Sequence, residues 1–205
     1  MRAEDGEDCR AERIIVAALQ VFGERGLAAA RVDEIARRAG VSKSTLYLHF
    51  PSKRVLFRDA IRSAVLAAVE ATLPARPPGA LPASARERLA DYAAHAWEQM
   101  TRSEFAAAHR LTLGEGAAFP ELAHLYASEL VARALGRVEE IIREGVAHGE
   151  FRELEPRMAA RVFLSTLMTQ AYWCATPAIY VGVTGHDPSR VHEHTIELLL
   201  QAVEA

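Results

Sequence analysis

The sequence predicts an all-α protein of about nine helices, and three observations carry that reading. Apolar residues recur at spacings of three and four along most of the chain, the period of a helix with one buried face. Only 12 glycines and 9 prolines occur among 205 residues, Ala and Leu abound, and β-branched runs are almost absent. Helix start and stop residues punctuate the periodic stretches. Half the residues are apolar, which supplies a sizeable core for one large or two small domains.

From Arg10 onward, Ile14, Ile15, Ala18, Leu19 and Phe22 follow helical spacing, and the helix ends near Gly23 to Gly26, after a polar, frayed residue 1–9 segment. Val32, Ile35, Ala36 and Ala39 make a short second stripe, with Asp33 and Glu34 where a helix N-terminus favours negative charge; Gly40 stops it. Ser42 caps a third helix, Lys43 to His49, whose Leu46 and Phe50 face inward. Pro51 breaks that helix and Ser52 caps a long one over 53–73. The proline-rich segment LPARPPGALPAS, residues 73–84, reads as a linker.

Beyond the linker, Ser84 and Glu87 form a capping box for a helix over 85–101, with the stripe Leu89, Ala93, Ala96, Trp97, Met100. Thr101 and Glu104 repeat the box for a helix ending near Gly114. Pro120 opens a helix to about His148, Pro156 opens one to about Thr176 where Pro177 interrupts, and Asp187 with Pro188 opens the last. The domain division expected is 1–58, a helix-turn-helix domain with the start of the fourth helix, and 59–205, a C-terminal helical domain.

Charge is uneven. The chain holds 24 bases and 27 acids, yet residues 31–58 hold seven bases and two acids, and from Ile35 to Arg58 there is no acid at all. That window carries Arg37, Arg38, Lys43, Lys53, Arg54 and Arg58, unopposed in sequence, which suggests a surface for an anionic partner. Within it the second and third helices have helix-turn-helix geometry: small Ala36 permits close approach, Gly40 supplies a left-handed turn, and Val41 and Leu46 plug the corner. Lys43, Ser44, Thr45, Tyr47, Leu48 and His49 are left on or beside the outward surface, where donors and positive charge meet phosphates and base edges.

The stretch VDEIARRAGVSKSTLYLHFPSKRVLF resembles the N-terminal DNA-binding domain of TetR-family transcriptional regulators, through Ile-Ala, Ala-Gly-Val-Ser, Leu-Tyr-x-His-Phe and Ser-Lys with Leu-Phe close behind. The resemblance covers about residues 10–58. It implies that Lys43, Ser44, Thr45, Tyr47 and His49 contact DNA, that Ser42 belongs to the same surface, and that Lys53 holds a phosphate. Where the family often has a capping Thr, this chain has Arg31, which cannot cap the helix but is long enough to reach a phosphate. RLTLGEGAAFPELAHLY with GEFRELEPRMAARVFLSTLM resembles, more weakly, the C-terminal domain of the AefR-like branch.

The last helix has apolar rows at Val191, Leu198 and Ala202, with Thr195 between, and at Ile196, Leu199, Leu200 and Val203; two apolar faces require two partners. With the uncharged stretch from Val162 to Gly185, this predicts a four-helix homodimer interface using Thr166, Gln170, Val191, Thr195, Leu198, Leu199 and Ala202. The same uncharged stretch is long enough to span a bilayer, but its Ser, Thr, Gln and Pro content favours a helix buried on all sides within protein, and no membrane partner is expected. Trp97, Met100, Phe105, His109, Tyr126, Phe163, Met168, Tyr172 and Trp173 are candidates to line a pocket for a small apolar or aromatic ligand, weighed against simple core packing.

His192 and His194 point to different sides of a helix, no Cys or His pair has zinc spacing, and no phosphate loop or nucleophile motif is present, so no metal, cofactor or catalytic residue is expected. Two distant cysteines and the lack of an evident leading segment suit a cytoplasmic protein. Taken together, the sequence reads as a homodimeric, ligand-released repressor of a palindromic DNA operator; the alternatives are a DNA-binding dimer without an inducer, or a helical carrier or enzyme.

Overall fold

The computed structural model describes residues 4–71, 83–176 and 187–204, and their regular structure is helical apart from one isolated bridge, Phe151 to Glu204. The helices are α1 (Glu4–Ala29), α2 (Val32–Ala39), α3 (Lys43–His49), α4 (Lys53–Ala71), α5 (Ala85–Thr101), α6 (Ser103–Glu115), α7 (Pro120–Leu125), a π-helical turn (Tyr126–Val131), α8 (Ala132–Ala147), α9 (Pro156–Cys174) and α10 (Pro188–Gln201). The chain forms two compact units, Met1–Ala67 with Ser103–Ala127, and Ala68–Arg102 with Ser128–Ala205. Contact thus groups α6 and α7 with α1, α2, α3 and most of α4.

In the first unit α1 packs on α2 and α6. Phe22 meets Phe57 edge-on at 5.0 Å, and Phe57 meets Phe119 at 5.1 Å, so the residue just before α7 closes the core beneath α1 and α4. Each such ring contributes about 1.5–3 kcal/mol through removal from water. Gly23 permits the α1–α6 approach, because a Cβ there would lie 2.9 Å from the Ala107 Cβ. Regular α1 geometry breaks at Gly26, as the glycine pair in the sequence indicated.

The second unit is a bundle in which α5, α8, α9 and α10 surround Leu89, Trp97, Val138, Ile142, Phe163 and Leu167. The Ser84–Glu87 capping box is present in both directions. The second expected box is not formed: Thr101 is the last helical residue of α5, not a residue in extended N-cap geometry, and its hydroxyl turns back along that helix to donate to the Trp97 and Glu98 carbonyls. The single helix expected over 120–148 is divided by the π-helical turn. The helix expected to be buried on all sides is not so within one chain: Met158, Val162, Ser165, Thr169 and Trp173 of α9 form an exposed stripe. The linker at 73–84 lies outside the described residues apart from Ala83 and Ser84, and so does the interruption at Pro177. Among the described residues no helix is long and apolar enough to cross a membrane.

Candidate nucleic-acid interface

The turn between α2 and α3 is built as the sequence requires. Gly40 takes φ 67°, ψ 36°, a left-handed conformation in which a side chain would be strained, and the Val41 amide donates to the Ala36 carbonyl at 3.0 Å. Leu46 is fully buried and Phe50 nearly so, which pins the inner face of α3. Ser42 caps α3 by accepting from the Thr45 amide at 3.0 Å. Its hydroxyl also shares hydrogen bonds with those of Thr45, at 2.7 Å, and Ser44, at 3.2 Å. The helix start thus presents a cluster of hydroxyls already oriented by one another.

The outward surface holds Lys43, Ser44, Tyr47 and Leu48, all exposed, with Thr45 and His49 half-buried beside them. Arg31 stands at the head of α2, exposed, and makes no side-chain capping bond. Lys53 is partly committed within the protein: its ammonium donates to the Ala28 and Ala30 carbonyls, at 3.2 and 3.1 Å, tying the start of α4 to the end of α1. Of the three ammonium protons, these two bonds occupy two.

The basic window is less bare in space than in sequence. Arg38 makes a bidentate pair with Glu24, at 2.6 and 2.7 Å, and a second pair with Glu34 at 2.8 Å. Lys43 lies 2.8 Å from Asp33, and Arg58 pairs with its neighbour Asp59. The hydrogen bond to Lys43 holds the Asp33 carboxyl below its ordinary range, and the same bond raises the Lys43 ammonium. Arg54 lies over the Phe119 ring at 4.1 Å. Arg31 and Arg37 are exposed with no ion pair among the described residues. The claim of six unopposed charges is therefore corrected: acids from α1, α2 and α4 fold onto three of them. A sequence count cannot find such pairs, although Asp33 and Glu34 stood directly at the edge of the window.

The nine candidate ligand residues fall into two sets. Phe105, His109 and Tyr126 belong to the first unit, where the Tyr126 hydroxyl and His109 Nδ1 are 2.7 Å apart and Phe105 stacks on the imidazole. Burial pushes the His109 imidazole below its usual value and the Tyr126 phenol above its own. Trp97 and Phe163 sit in the core of the second unit with Met100 against them; Met168 and Tyr172 are half-buried and Trp173 lies at the edge of exposure. Among the described residues, no group of three or more His, Cys, Asp or Glu side chains is arranged to hold a metal ion.

Of the expected interface residues, Thr195 and Leu199 face the interior of their own unit, Thr166, Gln170 and Val191 are half-buried, and Leu198 and Ala202 are exposed, Leu198 at 66%. Next to them Leu154, Met158, Val162, Leu199, Ala202 and Val203 line a groove of about 280 Å³ between α9 and α10. Met158 and Val162 were not singled out from sequence, although they continue the apolar row of α9.

A capped, hydroxyl-bearing helix set outward by a left-handed glycine turn defines the class of helix-turn-helix regulators. The comparisons agree. Residues 14–60 match the profile of bacterial regulatory proteins of the tetR family, and residues 87–203 match the AefR-like transcriptional repressor C-terminal domain. The chain belongs to the TetR family, whose members are regulators and not enzymes.

The HTH-type transcriptional activator FasR of Mycolicibacterium smegmatis is 54% identical over 50 residues, a stretch that covers 24% of this chain and 23% of FasR. The shared sequence thus spans about a quarter of that relative's length. A transcriptional regulator from Saccharomonospora viridis in complex with choline has the same fold, with TM-score 0.77 and 21% identity over 95% of this chain and 97% of the other. FadR from Bacillus subtilis in complex with stearoyl-CoA gives TM-score 0.68 and 23% identity over 94% and 99%.

Proposed function

We propose that this protein is a ligand-released transcriptional repressor, cytoplasmic, that binds a near-palindromic DNA operator as a homodimer. The observation that carries the reading is the outward face of α3, where Lys43, Ser44 and Tyr47 stand exposed on a helix whose inner side is locked by Leu46. In this reading Lys43 and Ser44 reach base edges, while Arg31, Ser42, Thr45, Tyr47, His49 and the remaining proton of Lys53 engage the backbone. Two such helices, related by a two-fold axis, enter successive major grooves about 34 Å apart. The apolar stripe of α9 with Leu198 of α10 supports assembly through these two helices.

An inducer acts only by binding the released conformation more tightly than the DNA-bound one. A shift from 1:99 to 99:1 needs about 5.5 kcal/mol of preference. The choline and stearoyl-CoA complexes of the two fold relatives support a small-molecule role for the C-terminal domain. Against it, Trp97, Phe105, Tyr126 and Phe163 are all packed in cores, which favours the second reading, a DNA-binding dimer without an inducer.

One titration separates the two. Trp97 and Trp173 are the only tryptophans, so a ligand near either changes intrinsic fluorescence, and the repressor reading expects operator release with a matching midpoint. Fluorescence change at saturation with unaltered operator affinity, across a broad panel of lipophilic compounds, rejects the inducer.

A further inference from the structure

We propose that Leu48 reads sequence, by placing its side chain against the C5-methyl group of a thymine in the major groove. The inference rests on α3 being the DNA-reading helix, as proposed above. Leu48 is 85% exposed, the most exposed large apolar side chain among the described residues. It lies one helical turn beyond Ser44, next to Tyr47, on the side of α3 opposite the buried Leu46. A lone exposed leucine is ordinary on a protein surface. This one is on the same short helix as the exposed Lys43, Ser44 and Tyr47.

A leucine there has no proton to donate and no charge to offer a phosphate, so the backbone gains nothing from it. Of the groups that base pairs display in the major groove, the thymine methyl is the apolar one, and it distinguishes thymine from cytosine without any hydrogen bond. Leu48 thus complements Lys43 and Ser44, which donate toward acceptors on other bases. Its long exposure in the free protein is the state that contact with a methyl group relieves.

The test begins with duplexes selected by the full-length protein from a random library. Each thymine of the selected site is then replaced by deoxyuridine, which removes only the methyl group. At one thymine position per half-site the expected loss is about fourfold, the effect of burying one methyl-sized group, and about fifteenfold when both half-sites are changed. Leu48→Ala should weaken the thymine duplex by a similar factor and become indifferent to deoxyuridine, while Leu48→Met should retain the discrimination. Methyl-insensitive binding, or sensitivity that survives in Leu48→Ala, overturns the inference. If no duplex is enriched at all, the regulator reading itself fails and takes this inference with it; enrichment without methyl dependence removes the inference alone.

Discussion

The outward face of α3 and the outward stripe of α9 are both open to solvent, but α3 sets a single leucine, Leu48, among hydroxyls and a cation, whereas α9 presents Met158, Val162 and Trp173 together. Water satisfies the first surface. The Ser42, Ser44 and Thr45 hydroxyls bond one another, Lys43 has Asp33, and Lys53 has two carbonyls. Such a face can wait for its partner and release it again. The second surface gains from being covered at all times, since apolar area left in water costs free energy in proportion to its extent. That difference in chemistry is what the proposed function uses, with reversible DNA binding assigned to the one surface and standing assembly to the other.

Salt is the strongest lever on the contrast. With six to ten phosphate contacts per dimer, affinity for DNA should fall by about 10³ to 10⁵ between 50 and 200 mM salt, as released counterions lose their entropic advantage. Assembly through α9 and α10 should not weaken over the same range. Parallel filter-binding and sedimentation series check both, and a dimer that dissociates with added salt would relocate the interface to a charged surface.

Leu198→Glu sharpens the other half. Because Leu198 is largely exposed in the single chain, the substitution should leave each unit folded; because the proposed interface buries it, an unpaired charge there should raise the dimer dissociation constant about a hundredfold or more. Unchanged sedimentation places the interface elsewhere. A collapsed helical signal would instead mean that the side chain is needed within one chain.

The smallest effect concerns Asp33. Asp33→Asn removes the partner of Lys43 and a negative charge from the DNA-facing surface, and should raise affinity for all sequences a few-fold with a steeper salt slope, by about one unit for each freed lysine that reaches a phosphate. Weaker binding would show that Asp33 holds Lys43 in its working orientation.

The α3 surface was legible because its determinants are neighbours in the chain. Gly40, Ser42, Leu46 and Phe50 lie within a dozen residues, and turn, cap and inner face all act through local geometry. What escaped was whatever depends on distant segments. Glu24, from α1, reaches Arg38 fourteen positions later, and Pro120, read only as a helix start, gave no hint that the ring of Phe119 before it would meet Phe57 and Arg54.

In the C-terminal half, periodicity identified the α10 rows yet could not say which of them faces inward. Thr195 and Leu199 turned toward their own core, because α9 and α5 occupy that side. Large aromatic side chains marked the interior of both units equally, so composition could not separate a pocket from packing.

The central claim is that α3 reads DNA by sequence, and the direct measurement is selection of bound duplexes from a random library by the full-length protein and by its Lys43→Ala and Ser44→Ala variants. The wild-type protein should enrich a near-palindromic pair of half-sites centred one helical turn, or a whole number of turns, apart. Each variant should bind more weakly and shift the preferred base at one position of each half-site, with a discrimination of about 1–3 kcal/mol at stake where a bidentate contact is lost. Enrichment of nothing, of a lone half-site, or of the same sequence with the same preferences by all three proteins would contradict the account.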